Sequence, residues 1–401
     1  MSKIDELIQQ YCPNGVEYKT LGEVADYEQP TKYLVKSSNY RDDFSIPVLT
    51  AGKTFILGYT DEQTGIYYAS KKPVIIFDDF TTANKWVDFD FKAKSSAMKM
   101  ITSKNDEKYI LKYIYYWLNT LPCDVVDGDH KRHWISDFTI KLIPVPPLPV
   151  QEEIVRILDK FTTLEAELEA ELDCRKRQYE YYRSKLLSFN NLTGGGISQQ
   201  VKWVKMSEIG TFTRGNGIQK KDFVESGVGC IHYGQIHTYY GTFTYKTKSF
   251  ITAEYARKLK KAAKGDLIIA TTSEDIEGVC KAVAWLGDEE IAVSTDAYIF
   301  HHNQNPKYIS YLFQTEMFRE HKKKYATGTK VIRVSGDNMG KFYFPLPPLS
   351  EQEHIVAILD RFDALVNDIS IGLPAEIEAR RKQYEYYRNK LLAFPEHKTA
   401  A

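Results

Sequence analysis

The chain has 401 residues, 43% of them hydrophobic and 26% charged, with 53 Lys+Arg set against 53 Asp+Glu. These are the proportions of a soluble globular protein of two or three domains. No apolar run approaches a membrane span and the start, MSKIDELIQQYCPNG, has no signal-peptide core, so the cytosol is the expected compartment. Five cysteines (Cys12, Cys123, Cys174, Cys230, Cys280) are scattered without CxxC spacing, so neither a disulfide framework nor a zinc site is indicated.

In chain order, residues 1–12 predict a short helix opening a first domain over 1–144. Within it PVIIF (Pro73–Phe77) reads as a buried strand and EKYILKYIYYWLNTL (Glu107–Leu121) as a helix with an apolar face. A helical spacer is expected over 145–192, then TGGGIS (Thr193–Ser198) as a flexible link. A second domain follows over 193–344, with DLIIATT (Asp266–Thr272) and AYIFHH (Ala297–His302) as strands and KYISYLFQTEMFREHKKK (Lys307–Lys324) as a helix. Residues 345–401 form a second helical spacer and a tail. The fold class expected is mixed α/β (α+β): domain, long helix, domain, long helix. Zero net charge hides an asymmetry, since 193–344 hold 21 basic against 15 acidic residues while 1–144 hold 18 against 20. A local basic face is therefore compatible with the neutral total.

The spacers repeat one another. QYEYYRSKLL (Gln178–Leu187) returns as QYEYYRNKLL (Gln383–Leu392), and VPPLPVQEEIVRILDKF (Val145–Phe161) aligns with LPPLSEQEHIVAILDRF (Leu346–Phe362). The positional offset is 205 for the Tyr-rich decapeptide and 201 for the Pro-rich stretch, so copy two carries four extra residues. A heptad runs through Ile154, Leu158, Phe161, Leu168, Leu172, Tyr179, Tyr182, Leu186 and Phe189, broken at Glu165 and Arg175. The second copy follows Ile355, Leu359, Phe362, Val366 and Ile369 and resumes at Tyr384, Tyr387, Leu391 and Phe394. Its insertion, around Gly372-Leu373-Pro374, predicts a break or kink. Roughly 39 helical residues span roughly 58 Å. A stripe this long cannot be buried by one helix alone, so the copies are expected to pair antiparallel. The segments outside the stripe are repeated too, which suggests one kind of partner docking twice, through Tyr181, Arg183, Lys185, Tyr386, Arg388 and Lys390. The domains themselves agree only at their edges: VEYKTLGEV (Val16–Val24) aligns with VKWVKMSEI (Val201–Ile209), and GDHKRHWIS (Gly128–Ser136) stands where GTKVIRVS (Gly328–Ser335) does.

PLPPLSEQEHIVAILD (Pro345–Asp360), with Val145–Asp159 as its degenerate first copy, a Tyr-rich Lys-Leu-Leu segment and the two-domain order together resemble the DNA-specificity subunit of type I restriction–modification systems. The resemblance spans the whole chain. It implies that each variable block is a target recognition domain reading one half of a split, asymmetric double-stranded DNA site. It also implies that the repeated helices form an antiparallel coiled coil, set the half-site spacing and dock two modification (adenine-methyltransferase) subunits. ATP-driven restriction subunits join that assembly, and S-adenosylmethionine, ATP and Mg2+ are used by the partners, with no cofactor in this chain.

Base edges are read by side chains that donate or accept in a groove, with basic groups on phosphate. In the first domain the residues of that type are Lys53, Thr81, Thr82, Asn84, Lys85, Lys92, Lys94, Ser95 and the cluster His130, Lys131, Arg132, His133. In the second they are Arg214, Asn216, Gln219, Lys220, Lys221, His232, Tyr233, Gln235, His237, Thr271, Ser273, Lys330 and Arg333. LKKAAKG (Leu259–Gly265) and HKKK (His321–Lys324) are either phosphate contacts or solvated helix ends.

Catalytic motifs are missing. TAGKT (Thr50–Thr54) has Pro47 where a phosphate-binding loop needs glycine. Pro146-Pro147 and Pro347-Pro348 are followed by Leu rather than by the aromatic of an adenine methyltransferase. Asp78-Asp79 and Glu274-Asp275 suit turns or caps better than a nuclease. The rival readings are a methyltransferase or nuclease with unrecognised motifs, which predicts activity from the isolated chain, and a coiled-coil adaptor, which predicts no salt-dependent DNA affinity.

Overall fold

The computed structural model describes residues 2–52, 54–122, 132–189 and 201–397. They divide into two compact units, Met1–Glu169 with Glu376–Ala401, and Ala170–Ala375. The longer helices are α1 (Lys3–Tyr11), α2 (Leu111–Leu118), α3 (Leu148–Ser188), α4 (Pro306–Leu312), α5 (Glu316–Tyr325), α6 (Leu349–Asn367) and α7 (Leu373–Leu391). One continuous helix, α3, supplies its first half to one unit and its second half to the other.

In the first unit an antiparallel sheet runs Ala25–Glu28, Met98–Ser103, Val74–Asp78, Asn84–Val87, with a smaller three-stranded sheet beside it. Val74–Asp78 is buried at every position, as the PVIIF run requires of a central strand. Ile75 and Phe77 on one face join Tyr113 and Trp117 of α2, Ile154 and Leu158 of α3, and Leu391 at the end of α7 in one core. In the second unit a five-stranded sheet runs Gly210–Arg214, Ala297–His302, Leu267–Ala270, Ala282–Trp285, Phe243–Thr244, accompanied by a four-stranded sheet. Its core combines Leu267, Ile269 and Phe300 with Tyr308 and Tyr311 of α4, Ile355 and Leu359 of α6, and Tyr179 and Leu187 of α3.

The matching entry segments turn out to be strands, each paired with the stretch that leads into its Pro-rich turn. Glu17–Thr20 lies antiparallel to Leu142–Val145, and Lys202–Lys205 to Tyr343–Leu346, with Tyr18 opposite Pro144 and Trp203 opposite Pro345. A two-stranded ribbon tolerates these prolines because it has edges on which a missing N–H is harmless.

Two helices are shorter than their apolar patterns. The 107–121 run is helical only over Leu111–Leu118, because Asn105 takes the Glu107 amide on its side chain and the Lys108 and Tyr109 amides on its carbonyl. The 307–324 run splits into α4 and α5 where Thr315 accepts the Phe318 amide and donates to the Leu312 carbonyl, a cap that restarts the helix. The second spacer also breaks. Asp368 ends α6 and its carboxylate takes the Ser370 and Ile371 amides, while a Cβ at Gly372 would stand 2.4 Å from the Ala364 carbonyl. Ile369, placed on the stripe by its spacing, is instead 85% exposed because that turn carries it off the helix. The TGGGIS link lies outside the described residues.

The helix pairing is repeated contact for contact. In the first unit Phe161 of α3 stacks on Tyr387 of α7 at 5.5 Å and meets Tyr384 at 6.4 Å. In the second, the equivalent Phe362 stacks on Tyr182 at 5.5 Å and meets Tyr179 at 6.3 Å. Farther along α3, Glu165 and Glu169 take Arg381, which precedes Tyr384 in α7, so the helices run antiparallel. The heptad break at Glu165 is thus filled by an ion pair.

Candidate nucleic-acid interface

Each domain is fixed to its spacer by the same set of bonds. In the first unit the buried Gln151 accepts the Ile110 amide at 2.9 Å and donates to the Lys108 and Pro146 carbonyls. Asp159 receives Lys112 at 2.9 Å and the Tyr116 hydroxyl, and Tyr113 donates to the Pro144 carbonyl at 2.9 Å. In the second, Gln352 accepts the Asn305 amide at 3.0 Å and donates to the Pro347 carbonyl and the Gln304 side chain. Asp360 receives Lys307 at 2.7 Å and Tyr311 at 2.8 Å, and Tyr308 donates to the Pro345 carbonyl at 2.9 Å. A Lys-Tyr-Ile-x-Tyr pattern (Lys112–Tyr116, Lys307–Tyr311) is therefore a repeat inside otherwise divergent domains, too short to stand out in the sequence by itself.

In the second unit three segments converge on an open cleft of about 470 Å3, lined by Gln219, Lys221, His232, Tyr233, Thr295 and Asp296 among others. Arg214 stands at its edge, Nε donating to the Thr295 carbonyl at 3.0 Å and the guanidinium 3.8 Å from the Asp296 carboxylate. Ile218 holds the left-handed φ of +56°, a costly conformation for a β-branched residue, and its amide is received by the Tyr255 hydroxyl at 3.1 Å. His232 accepts the Gly234 amide on Nδ1, and burial first, then the charge of Lys220, pull its pKa down, so it presents a neutral ring. Gln219, Lys220 and Lys221 are exposed.

Other residues of the second set are occupied elsewhere. The Asn216 amide bonds the backbone at Lys258 and Lys260, Gln235 bonds Ser249 and the His232 amide, and His237 meets the Thr272 carbonyl. Thr271 is buried and donates to the Asp296 carbonyl. Ser273 shares its hydroxyl with Asp275, while Lys330 and Arg333 are exposed at the Thr272–Ser273 and Ile332–Arg333 strand pair or beside it. Thr295 and Asp296 were not singled out by sequence; their only signal is a Ser-Thr-Asp turn directly before the AYIFHH strand.

In the first unit Thr81, Thr82, Asn84 and Lys85 sit on the hairpin joining Val74–Asp78 to Asn84–Val87. Asp78 builds its turn by accepting the Phe80 and Thr81 amides, and Thr82 adopts φ +59°. Lys85 is exposed, and the carbonyl oxygen of the Asn84 side chain is enclosed without a hydrogen-bond partner. Lys94 lies over the Tyr40 ring at 5.5 Å and Ser95 accepts the Ala97 amide. Lys92 must be withdrawn as a surface contact: it is 1% exposed, bonded to Glu62 at 3.0 Å and to the Thr64 carbonyl, because it ties a loop from within. Arg132 is exposed and His133 meets Asp137 at 2.7 Å. Asp79, sealed against Lys99 at 3.2 Å, accepts the Trp134 amide and so anchors the segment just after Arg132. Lys53, His130 and Lys131 lie outside the described residues.

Of the repeated outer residues, Tyr181 and Tyr386 are 59% and 61% exposed, and Lys185 and Lys390 are exposed beside them. Arg183 instead donates to Gln314 and covers Tyr179, and Arg388 covers Tyr384, so both arginines brace the units they belong to. Among the described residues no group of three or more His, Cys, Asp or Glu is arranged to hold a metal, and no helix is long and apolar enough to cross a membrane.

Comparison with known proteins bears on this arrangement directly. Residues 13–173 and 199–379 each match the type I restriction modification DNA specificity domain. The chain is 47% identical, over 96% of both sequences, to the EcoR124I/EcoR124II type I restriction enzyme specificity subunit of Escherichia coli. It is 30% identical to a putative type I specificity subunit of Haemophilus influenzae, over 94% of this chain and 96% of that one. The crystal structure of a type I restriction–modification S subunit from M. genitalium shares the fold at TM-score 0.58 and 14% identity, covering 94% of this chain and 96% of that one. With two matched copies of the domain and a near-full-length relative at that identity, the chain belongs to the specificity subunits of type I restriction–modification systems.

Proposed function

We propose that each unit presents one recognition domain to one half of a bipartite duplex DNA site, and that the paired helices set the half-site spacing and dock two modification subunits. The observation that carries this reading is the contrast between the joints and the faces. The joint of domain to spacer repeats in both units, differing only in whether the glutamine's second donor bond goes to a backbone or a side-chain oxygen, whereas the hairpin of the first domain has no counterpart in sequence to the cleft of the second. A repeated frame with different reading faces suits a symmetric set of partners on an asymmetric site. In this reading the modification subunits use S-adenosylmethionine, restriction subunits use ATP and Mg2+, and the assembly acts on DNA in the cytoplasm.

In the second domain the cleft around Arg214, Gln219, Lys221, His232, Tyr233 and Asp296 is the reading face. A guanidinium beside a carboxylate offers donors and an acceptor together, the pattern that a G·C pair complements through guanine O6/N7 and cytosine N4. In the first domain the hairpin tip with Thr81, Asn84 and Lys85 has the corresponding role, with Arg132 beside the phosphates. Tyr181 and Tyr386 are the equivalent docking points for the two modification subunits. The test is methylation mapping of DNA from cells expressing this chain with its modification subunit, against the modification subunit alone. A new split motif with one modified adenine per strand is the expected result. A stable complex that leaves DNA unmodified refutes the proposal.

A further inference from the structure

The second unit contains another cleft, of about 450 Å3, walled by Arg183 of α3, Lys281, and Arg319 and Lys322 of α5, with Glu277 and Glu316. Its four cations are not equivalent. Arg319 is matched by both carboxylates, Nε at 2.5 Å from Glu277 and Nη1 at 3.2 Å from Glu316. Arg183 has uncharged partners, the Gln314 side-chain oxygen at 2.9 Å and the face of the Tyr179 ring. Lys322 is 5% exposed, yet among the described residues its ammonium bonds only the Glu277 carbonyl, at 3.4 Å. The half-buried Lys281 likewise has one bond, to the His237 carbonyl at 3.4 Å.

The other buried lysines of this chain behave differently. Lys92 and Lys99 each close on a carboxylate, at 3.0 and 3.2 Å. A buried ammonium without a counter-charge is expensive, and burial pulls the pKa of both Lys281 and Lys322 down. Both acids of the cleft bond Arg319, and although Glu277 and Asp275 lie near enough to offset part of the cost at Lys322, none of the remaining three cations closes an ion pair among the described residues. A sheet or a helix does not require this. Two alkyl side chains of similar length would fill the same space without the charge.

We infer that this cleft binds a phosphate group, with Lys281 and Lys322 supplying charge and Arg183 a donor fork. Phosphate suits it because its oxygens accept from several sides at once, while the donors here come from three separate segments. The group is either a phosphate of the DNA backbone or a free phosphate; only the first source rests on the DNA-reading function proposed above.

The experiment uses the full chain, with inorganic phosphate and a duplex carrying the mapped site as probes. Thermal unfolding is followed in phosphate and in chloride at matched ionic strength, and DNA affinity is measured across salt concentrations. Wild type and Lys281→Met are compared, with Lys281→Arg to keep the charge and show that the site still folds. If free phosphate is the ligand, it raises the wild-type Tm, the methionine variant loses that rise and the arginine variant keeps it. If the phosphate belongs to DNA, the slope of log affinity against log salt falls by about one in Lys281→Met and is kept in Lys281→Arg. A Tm response and a salt slope both unchanged by Lys281→Met overturn the inference. A wild type that binds no DNA defeats the proposed function but leaves the phosphate arm to decide this site.

Discussion

Gln151 and Gln352 illustrate how much a single side chain can decide. Each satisfies the first free amide of a domain helix and the carbonyl of its own Pro-rich turn, at a point where both would otherwise be buried without partners. Asp159 and Asp360 complete the joint by taking a lysine and a tyrosine from the next turns of that helix. Replacing Asp360 by Asn removes the charge while keeping the shape, and we expect the second unit to lose about 1.5–3 kcal/mol of stability, the range for hydrogen bonds to a charged group. Denaturant unfolding checks it; a change near zero would mean that Lys307 and Tyr311 find other partners. At this scale the sequence was only half legible. The Gln-Glu pair of the motif (Gln151-Glu152, Gln352-Glu353) stood out by repetition, but its partners did not, because the match between Lys112–Tyr116 and Lys307–Tyr311 is short and its surroundings diverge. Lys92 was misread for a related reason: composition reports a charge, whereas burial against Glu62 depends on a fold no local pattern reveals.

Among elements, the long helices were the most readable and the short ones the least. A stripe of apolar residues sustained over many turns outweighs isolated faults, so α3 remains continuous through Glu165 and Arg175, each held in an ion pair. Over two or three turns a single capping side chain is enough to change the outcome, as Asn105 and Thr315 do. The insertion in the second spacer was legible as a break from its glycine and proline, but the turn built by Asp368 and the exposure of Ile369 and Ile371 were not. Deleting residues 369–372 should therefore change the half-site spacing that is tolerated, or the assembly with modification subunits, without changing the bases read. Methylation mapping of the deletion variant checks this; an unchanged spacer with unchanged assembly would remove that segment from any measuring role.

For the whole molecule, the two-domain order and the mixed α/β class followed from repetition and composition, while the proposed reading faces did not. Their side chains come from three loops far apart in sequence, and neither Thr295 nor Asp296 belongs to a motif. Because the faces lie in separate units, substitutions in them should act separately. Lys85→Ala is expected to weaken or relax one half-site and Arg214→Ala the other, each by about 1–3 kcal/mol of discrimination where a base contact is lost. Equal loss at both half-sites after either change would contradict modular reading.

The division of α3 between the units has a genetic corollary. Each body is assembled from stretches encoded in both halves of the gene: the first unit draws its last helix from beyond residue 375, and the second draws its first helix from before residue 190. Exchange of either half with a relative would therefore bring new partners to both bodies at once. Such exchange can succeed only if the helical surfaces remain interchangeable, as Phe161 with Tyr387 and Phe362 with Tyr182 are here. Within this chain the two spacers accordingly keep nearly one text, while the loops between them do not.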